Sequence, residues 1–200
     1  MRGGETRARA VFLDRDGVLN ALRPDPESGL AESPLSVGDV HLLPGVASAI
    51  ARLTANGYVL IGVTNQPAAA KGKIPRTTVA AIQARVIELL ADAGSSLDGW
   101  RICLHHPEGT DPDLSGPCDC RKPAPGMLLD AAAEYGIDLA ASWTIGDASS
   151  DVAAGRAAGT RTVLVEHPPS AHKRHLDDAP DLRADDLMTA VTLLLGAGPY

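Results

Sequence analysis

The segment Ala10-Val11-Phe12-Leu13-Asp14-Arg15-Asp16-Gly17-Val18-Leu19-Asn20 runs from an apolar tetrad into two acids and a glycine. A short apolar run bounded by a turn signal predicts a strand buried on both faces of a sheet. A buried parallel strand presents its polar residues at its carboxyl end, where open α/β sheets bind ligands. Two carboxylates spaced i, i+2 at that end suit a hard cation with a nucleophile beside it. The plainer reading is a strand that ends in an ordinary polar turn.

Working outward, the pattern repeats. Tyr58-Val59-Leu60-Ile61-Gly62-Val63 reads as a second buried strand, Trp100–Leu104 as a third, Ser142–Asp147 as a fourth and Thr162–Val165 as a fifth. Helical periodicity lies between them. Pro44-Gly45 opens one helix, with Val46, Ile50 and Leu53 on one face and Gly57 as its C-cap. A second runs from Pro75 to Ala93 with Val79, Ile82, Val86 and Leu90 inward. A third follows Pro125-Gly126, with Met127, Leu128 and Ala131 inward, and stops at Gly136. A fourth carries Ala153, Ala154 and Ala157 to Gly159, and a last one spans Leu182 to Leu195 after a polar loop from His167 to Asp181. This alternation predicts an α/β fold, a parallel sheet with helices on both faces. No repeat and no long linker divides residues 1–200, so one domain is expected. The stretch from Ala21 to Pro44, rich in Pro, Asp, Glu and Ser, is expected to be a long loop at the substrate-facing rim.

Composition narrows the function classes. Hydrophobic residues are 44% and charged residues 22% of the 200, the balance of a globular chain with a real core. Aromatics are only 3% and the net charge is -7, which argues against a nucleic-acid partner. No apolar run approaches a membrane span. Only Val11, Phe12 and Leu13 follow the basic start before a charge, too few for a signal-peptide core. A cytoplasmic monomer with a flexible tail over residues 1–9 is the expectation.

All three cysteines fall in one pattern, C-x-H-x12-C-x-C, from Cys103 and His105 to Cys118 and Cys120. Three thiolates and an imidazole complete a tetrahedral zinc set with no open position, hence a structural Zn²⁺ site over 103–120. His106 is the alternative imidazole, and reduced, unligated cysteines are the plainer reading. Between His106 and Pro117 little can bury itself, so the metal is expected to organise the loop.

Four shorter signals remain. Thr64-Asn65-Gln66 ends the second strand with groups able to bind an oxyanion, or merely to cap a turn. Arg121-Lys122-Pro123 follows the last thiol, a guanidinium fork and a point charge suited to phosphate, or two solvated charges. Asp147 ends the fourth strand and would point to the site of Asp14. Asp151, four residues on, lies one helical turn away or simply favours the helix dipole.

D-R-D-G, T-N-Q, R-K-P and G-D-x-x-x-D in that order resemble the four motifs of the haloacid dehalogenase (HAD)-type phosphohydrolases. The C-x-H…C-x-C loop running into R-K-P is similar to the small, capless, zinc-loop subfamily of heptose-bisphosphate phosphatases and their histidinol-phosphatase relatives. The resemblance spans roughly Val11 to Val165. It implies a three-layer, Rossmann-like sheet without a large cap, and a phosphatase that forms an aspartyl-phosphate on a small phosphorylated metabolite, a sugar bisphosphate.

The resemblance also implies roles. Asp14 is the nucleophile, and Asp16 the group that protonates the leaving oxygen and then deprotonates water. Mg²⁺ is held by the carboxylates of Asp14 and Asp147 and the main-chain carbonyl of Asp16. Thr64 and Lys122 bind the transferring phosphoryl group, with Arg121, Asn65, Gln66 and Asn20 around the substrate. Heptose-type relatives continue T-N-Q with S-G and an Arg-Gly, where this chain has Pro67 to Gly72, and often carry a basic residue at the position of Ala148. The Ala21–Ser36 loop is also unlike their short one. These departures fall on the substrate rim and leave every catalytic group in place. Histidinol phosphate or another small phosphomonoester is the second substrate reading, and a non-catalytic zinc-stabilised binding module the third.

Overall fold

A computed structural model describes residues 7–175 and 179–197. Its elements, in chain order, are β1 (Ala10–Leu13), β2 (Arg23–Pro24), β3 (Ala31–Glu32), α1 (Val46–Ala55), β4 (Val59–Asn65), α2 (Arg76–Asp92), β5 (Gly99–Cys103), α3 (Gly126–Tyr135), β6 (Trp143–Gly146), α4 (Ser149–Ala158), β7 (Arg161–Val165), β8 (Leu182–Ala184) and α5 (Leu187–Gly196). Six strands form one sheet in the order β5-β4-β1-β6-β7-β8, and every pairing is parallel.

β1 is wholly buried because both of its faces are covered. Its residues alternate: Val11 and Leu13 pack with Ile50, Leu53, Val86 and Val191 of α1, α2 and α5. Ala10 and Phe12 pack instead with Met127, Leu128, Ala154 and Ala158 of α3 and α4. That is the three-layer arrangement expected from the sequence. From β1 the chain builds β4 and β5 on one side, then crosses to β6, β7 and β8 on the other. The strand order reverses at β1, the point at which doubly wound sheets open a crevice at their carboxyl ends. Val11 pairs with Leu60 on one side and Trp143 on the other, so the tips of β1, β4 and β6 end side by side.

Several expectations need correction. The rim stretch is not a plain loop: β2 and β3 pair as a small antiparallel hairpin, followed by a 3-10 turn over Val37–Asp39. The last helix starts at Leu187 rather than Leu182, because Leu182–Ala184 adds a sixth strand beside β7 and Asp186 then caps the helix by accepting from the Thr189 N–H. A 3-10 turn over Pro168–Lys173 stands where a polar loop was expected. Of the expected flexible tail, residues 1–6 lie outside the described residues. Ala8 and Arg9 are docked: Ala8 N–H donates to Gly136 O, and the Arg9 guanidinium lies 4.4 Å from the centre of the Tyr58 ring. Among the described residues no helix is long and apolar enough to cross a membrane.

Candidate active site and thiol cluster

The tip of β1 aims Asp14 into the crevice, since its N–H extends the ladder by donating to Ile145 O of β6. Lys122 reaches the same point from a loop between β5 and α3. Its ammonium donates to Asp14 Oδ1 at 2.7 Å and to Val63 O at 2.8 Å, and lies 2.5 Å from Asp151 Oδ1. The backbone of Lys122 is clamped by Asn65, whose Nδ2 donates to Lys122 O and whose Oδ1 accepts from Lys122 N–H. Both polar ends of Asn65 are thereby taken up in aiming the lysine. Thr64 is buried and accepts from Gln66 Nε2 at 2.8 Å.

Asp147 comes from the tip of β6, and Gly17 of the β1 turn lets it approach. Gly17 has φ +89°, and a Cβ there would stand 2.0 Å from Asp147 Oδ2. Asp151 sits in the first turn of α4, its carboxylate accepting from Ala148 N–H, so it serves the helix terminus and the crevice together. Burial pushes the Asp14 carboxyl up to about 6, with Asp151 and Asp16 adding to the rise and Lys122 opposing it. Asp147 is pushed up to about 8 by burial, then by Asp14 and Asp151, against the pull of Lys173 and Ser170. For Lys122, burial favours proton loss, but Asp14 and Asp151 outweigh it and hold the ammonium above its ordinary range.

One carboxylate oxygen from each of Asp14, Asp147 and Asp151 lies within 4.8 Å of the others, and Asp147 Oδ2 is buried with no hydrogen-bond partner. Three converging acids with an unpaired oxygen fit a hard divalent cation. The carboxylate of Asp16 does not join them; it is turned to Arg15, Asn20, Ser33 and Gln66. Asp151, which the sequence left between two readings, supplies the third carboxylate. Burial would raise Asp16, but the Arg15 guanidinium and the hydrogen bonds hold it below the usual carboxylate range.

These groups line a cavity of about 670 Å³ that also reaches Arg121 and Lys71. The β2-β3 hairpin forms one wall and is tied at both edges. Lys73 Nζ lies 2.6 Å from Asp25 and 3.1 Å from Glu27, while Lys173 Nζ lies 3.0 Å from Glu32. Arg15, Ser33, Lys73 and Lys173 are site residues that sequence reasoning missed. Arg15 stood inside a quoted motif and Ser33 inside the rim; Lys73 and Lys173 lie in segments without periodicity.

Cys103, His105, Cys118 and Cys120 converge beyond β5. The Sγ atoms are 3.0 to 3.7 Å apart, and His105 Nδ1 lies 3.8 Å from Cys103 and 3.5 Å from Cys120. Metal–sulfur bonds of about 2.3 Å in a tetrahedron give edges of about 3.8 Å, so the donor set fits such an ion. His106 is turned away and accepts from Glu108 N–H. The loop buries more than expected: Leu114 packs against Ala69, Ala70 and Val79. Arg121 leaves the cluster and donates to His105 O.

Residues 119–190 match the HAD-hydrolase-like family model. The D-glycero-beta-D-manno-heptose-1,7-bisphosphate 7-phosphatase of Rhodopseudomonas palustris is 39% identical over 159 residues, 80% of this chain and 84% of its own. The chain belongs to this family of HAD phosphatases. The Escherichia coli K12 protein of the same name is 37% identical over 78% of each chain. Among solved structures, the D,D-heptose 1,7-bisphosphate phosphatase of B. bronchiseptica, crystallised with magnesium and phosphate, is 32% identical with a TM-score of 0.77, covering 95% of this chain and 99% of that one. A putative HAD-like phosphatase from Mesorhizobium loti, 30% identical, gives 0.76 over 97% and 90%. Membership of the HAD phosphatases accounts for the parallel sheet.

Proposed function

We propose that this HAD phosphatase removes the C7 phosphate of D-glycero-β-D-manno-heptose 1,7-bisphosphate through an aspartyl-phosphate on Asp14. One observation carries the reading: Lys122 Nζ stands 2.7 Å from Asp14 Oδ1 at the bottom of a cavity also lined by Asp147 and Thr64. A cation beside a carboxylate nucleophile offsets the repulsion between that carboxylate and a phosphate dianion. An Asp14 oxygen bonds to phosphorus as the bond from phosphorus to the sugar oxygen breaks. Asp16, a carboxylate in the resting site, takes a proton from the incoming phosphoryl monoanion, passes it to the sugar oxygen, and then takes one from the water that cleaves the acyl phosphate.

Asp14, Asp147 and Asp151, with the main-chain carbonyl of Asp16, would hold Mg²⁺, which when bound neutralises phosphoryl charge. Lys122 and Thr64 bind the phosphoryl oxygens; Arg121 and Gln66 face the rest of the substrate, and Asn20 and Asn65 orient Asp16 and Lys122. Cys103, His105, Cys118 and Cys120 hold one structural Zn²⁺. The substrate assignment leans on the names of the relatives.

Phosphate release across a panel of heptose 1,7-bisphosphate, histidinol phosphate and common sugar phosphates, with and without Mg²⁺, tests this. Magnesium-dependent release that favours the heptose bisphosphate and is lost in Asp14→Asn is expected. Equal rates on all esters would remove the substrate assignment. No release from any of them would leave the binding-module reading.

A further inference from the structure

Asp16 is the most heavily tethered side chain in the site. Its Oδ1 accepts from Asn20 Nδ2 at 2.8 Å and its Oδ2 from Ser33 Oγ at 2.9 Å and Gln66 Nε2 at 2.5 Å. Arg15, next in the chain, adds Nη2 to Oδ2 at 3.0 Å and to Oδ1 at 3.2 Å, and Nε to Oδ1 at 3.3 Å. Arg15 is entirely shielded from solvent. A guanidinium buried that deeply needs fixed partners, because water supplies none. Its second anchor is Gln83 Oε1, 3.1 Å from Nη1, brought in by α2 from 68 residues away.

Gln83 is out of place on chemical grounds. It is 7% exposed, on the helix face that carries Val79, Ile82, Val86 and Leu90. Its Nε2 is buried without a hydrogen-bond partner, which costs stability. A leucine would pack there without that penalty. What an apolar residue cannot supply is the acceptor for Arg15.

We infer that Gln83 and Arg15 are positioning residues for proton transfer by Asp16: the amide fixes the guanidinium, and the guanidinium fixes the carboxylate. Neither touches the reacting atoms. The inference rests on the phosphatase reading above. In the first half-reaction an Asp14 oxygen bonds to phosphorus, the bond from phosphorus to the leaving oxygen breaks, and a proton that the Asp16 carboxylate has taken from the bound phosphoryl monoanion passes to that oxygen. A sugar alkoxide leaves badly without the proton, whereas p-nitrophenolate leaves without one. Misplacing Asp16 therefore slows one ester and spares the other. Since kcat/KM reports only events up to release of the alcohol, the second half-reaction does not blur the comparison.

The test compares kcat/KM for heptose 1,7-bisphosphate and for p-nitrophenyl phosphate in the full-length, magnesium-loaded protein. Gln83→Met, which keeps the length and removes the acceptor, is expected to lower the sugar-ester value about tenfold or more and the aryl value by no more than about twofold. Gln83→Glu, which restores an acceptor, is expected to recover the sugar-ester value to within about threefold. Equal losses on both esters would mark Gln83 as merely structural and overturn the inference, as would no loss on either or no recovery in Gln83→Glu. If Gln83→Met does not fold, Gln83→Asn, which retracts the acceptor by one methylene, is read in the same way. An unaltered protein that hydrolyses neither ester would remove the phosphatase reading itself; an active one indifferent to Gln83 removes only the positioning.

Discussion

Lys122 Nζ and Asp14 Oδ1 meet at 2.7 Å although 108 residues separate them in the chain. The pair is made by the fold, since the ammonium also holds the main-chain oxygen of Val63 and the carboxylate of Asp151. Replacing Lys122 by Met leaves two buried carboxylates without their cation. Removing one partner of a buried ion pair costs about 3 kcal/mol, and urea unfolding at pH 7.5 is expected to show a loss of that order. Turnover is expected to fall by about 100-fold or more. At pH 5 the stability loss should shrink, because Asp14, with its carboxyl near 6, takes up a proton. A loss as large at pH 5 as at pH 7.5 would contradict this account.

The acidic trio also sets how stability depends on pH and metal. Both carboxyls bind protons more tightly in the folded chain than at their ordinary value of 3.8, Asp14 near 6 and Asp147 near 8. Their contribution to stability is therefore complete below about pH 3.8 and is lost as the pH rises through 6 and then 8. Magnesium-free protein should lose thermal stability from these groups between pH 5 and 9, and added Mg²⁺ should raise the melting temperature more at pH 8.5 than at pH 5.5. Thermal scans over that range, without a chelator that would strip the thiol site, decide it. An equal magnesium effect at both ends would mean that the cation binds elsewhere.

Cys118→Ser removes one corner of the thiol cluster. Metal content is expected to fall from about one zinc per chain to near zero, with a melting temperature lower by roughly 10 °C, on the order of 3 kcal/mol for a domain of this size. Activity should fall with it, since Arg121 is tied to His105 O and Lys122 follows directly. Leu114 keeps part of the loop packed, so the protein should still fold. Unchanged zinc by elemental analysis would exclude the four-ligand site.

Gly17→Ala puts a methyl group where Asp147 Oδ2 now stands, at a φ of +89° that alanine tolerates poorly. The carboxylate must move. Magnesium affinity, read by titrating activity, is expected to weaken about tenfold or more, while the buried strand beneath keeps the fold intact. Wild-type affinity would show that Asp147 does not reach the metal.

Much of this was legible because it is local. The apolar tetrad of β1, the acid that ends β6 and the spacing of three cysteines and a histidine are neighbours in sequence, and strand ends and ligand spacings are read over a few residues. Gln83 carried a signal that went unread: it lies four residues after Val79 and three before Val86, a polar residue on an apolar stripe. The start of α5 was legible in Asp186 as a capping acid, but the three-residue β8 is too short to show a period.

By itself the sequence determined which side chains carry charge, which strands are apolar enough to be buried, and that three thiols and an imidazole fall in one short stretch. Tertiary structure alone decided the company those side chains keep. Asp151 joins the acidic trio, Asp16 turns from it to Arg15 and Ser33, and Lys173 closes on the hairpin through Glu32. The reason is physical: burial and the distance between charges fix what a carboxylate does, and both are set by contacts between segments remote in the chain, on which no local pattern reports.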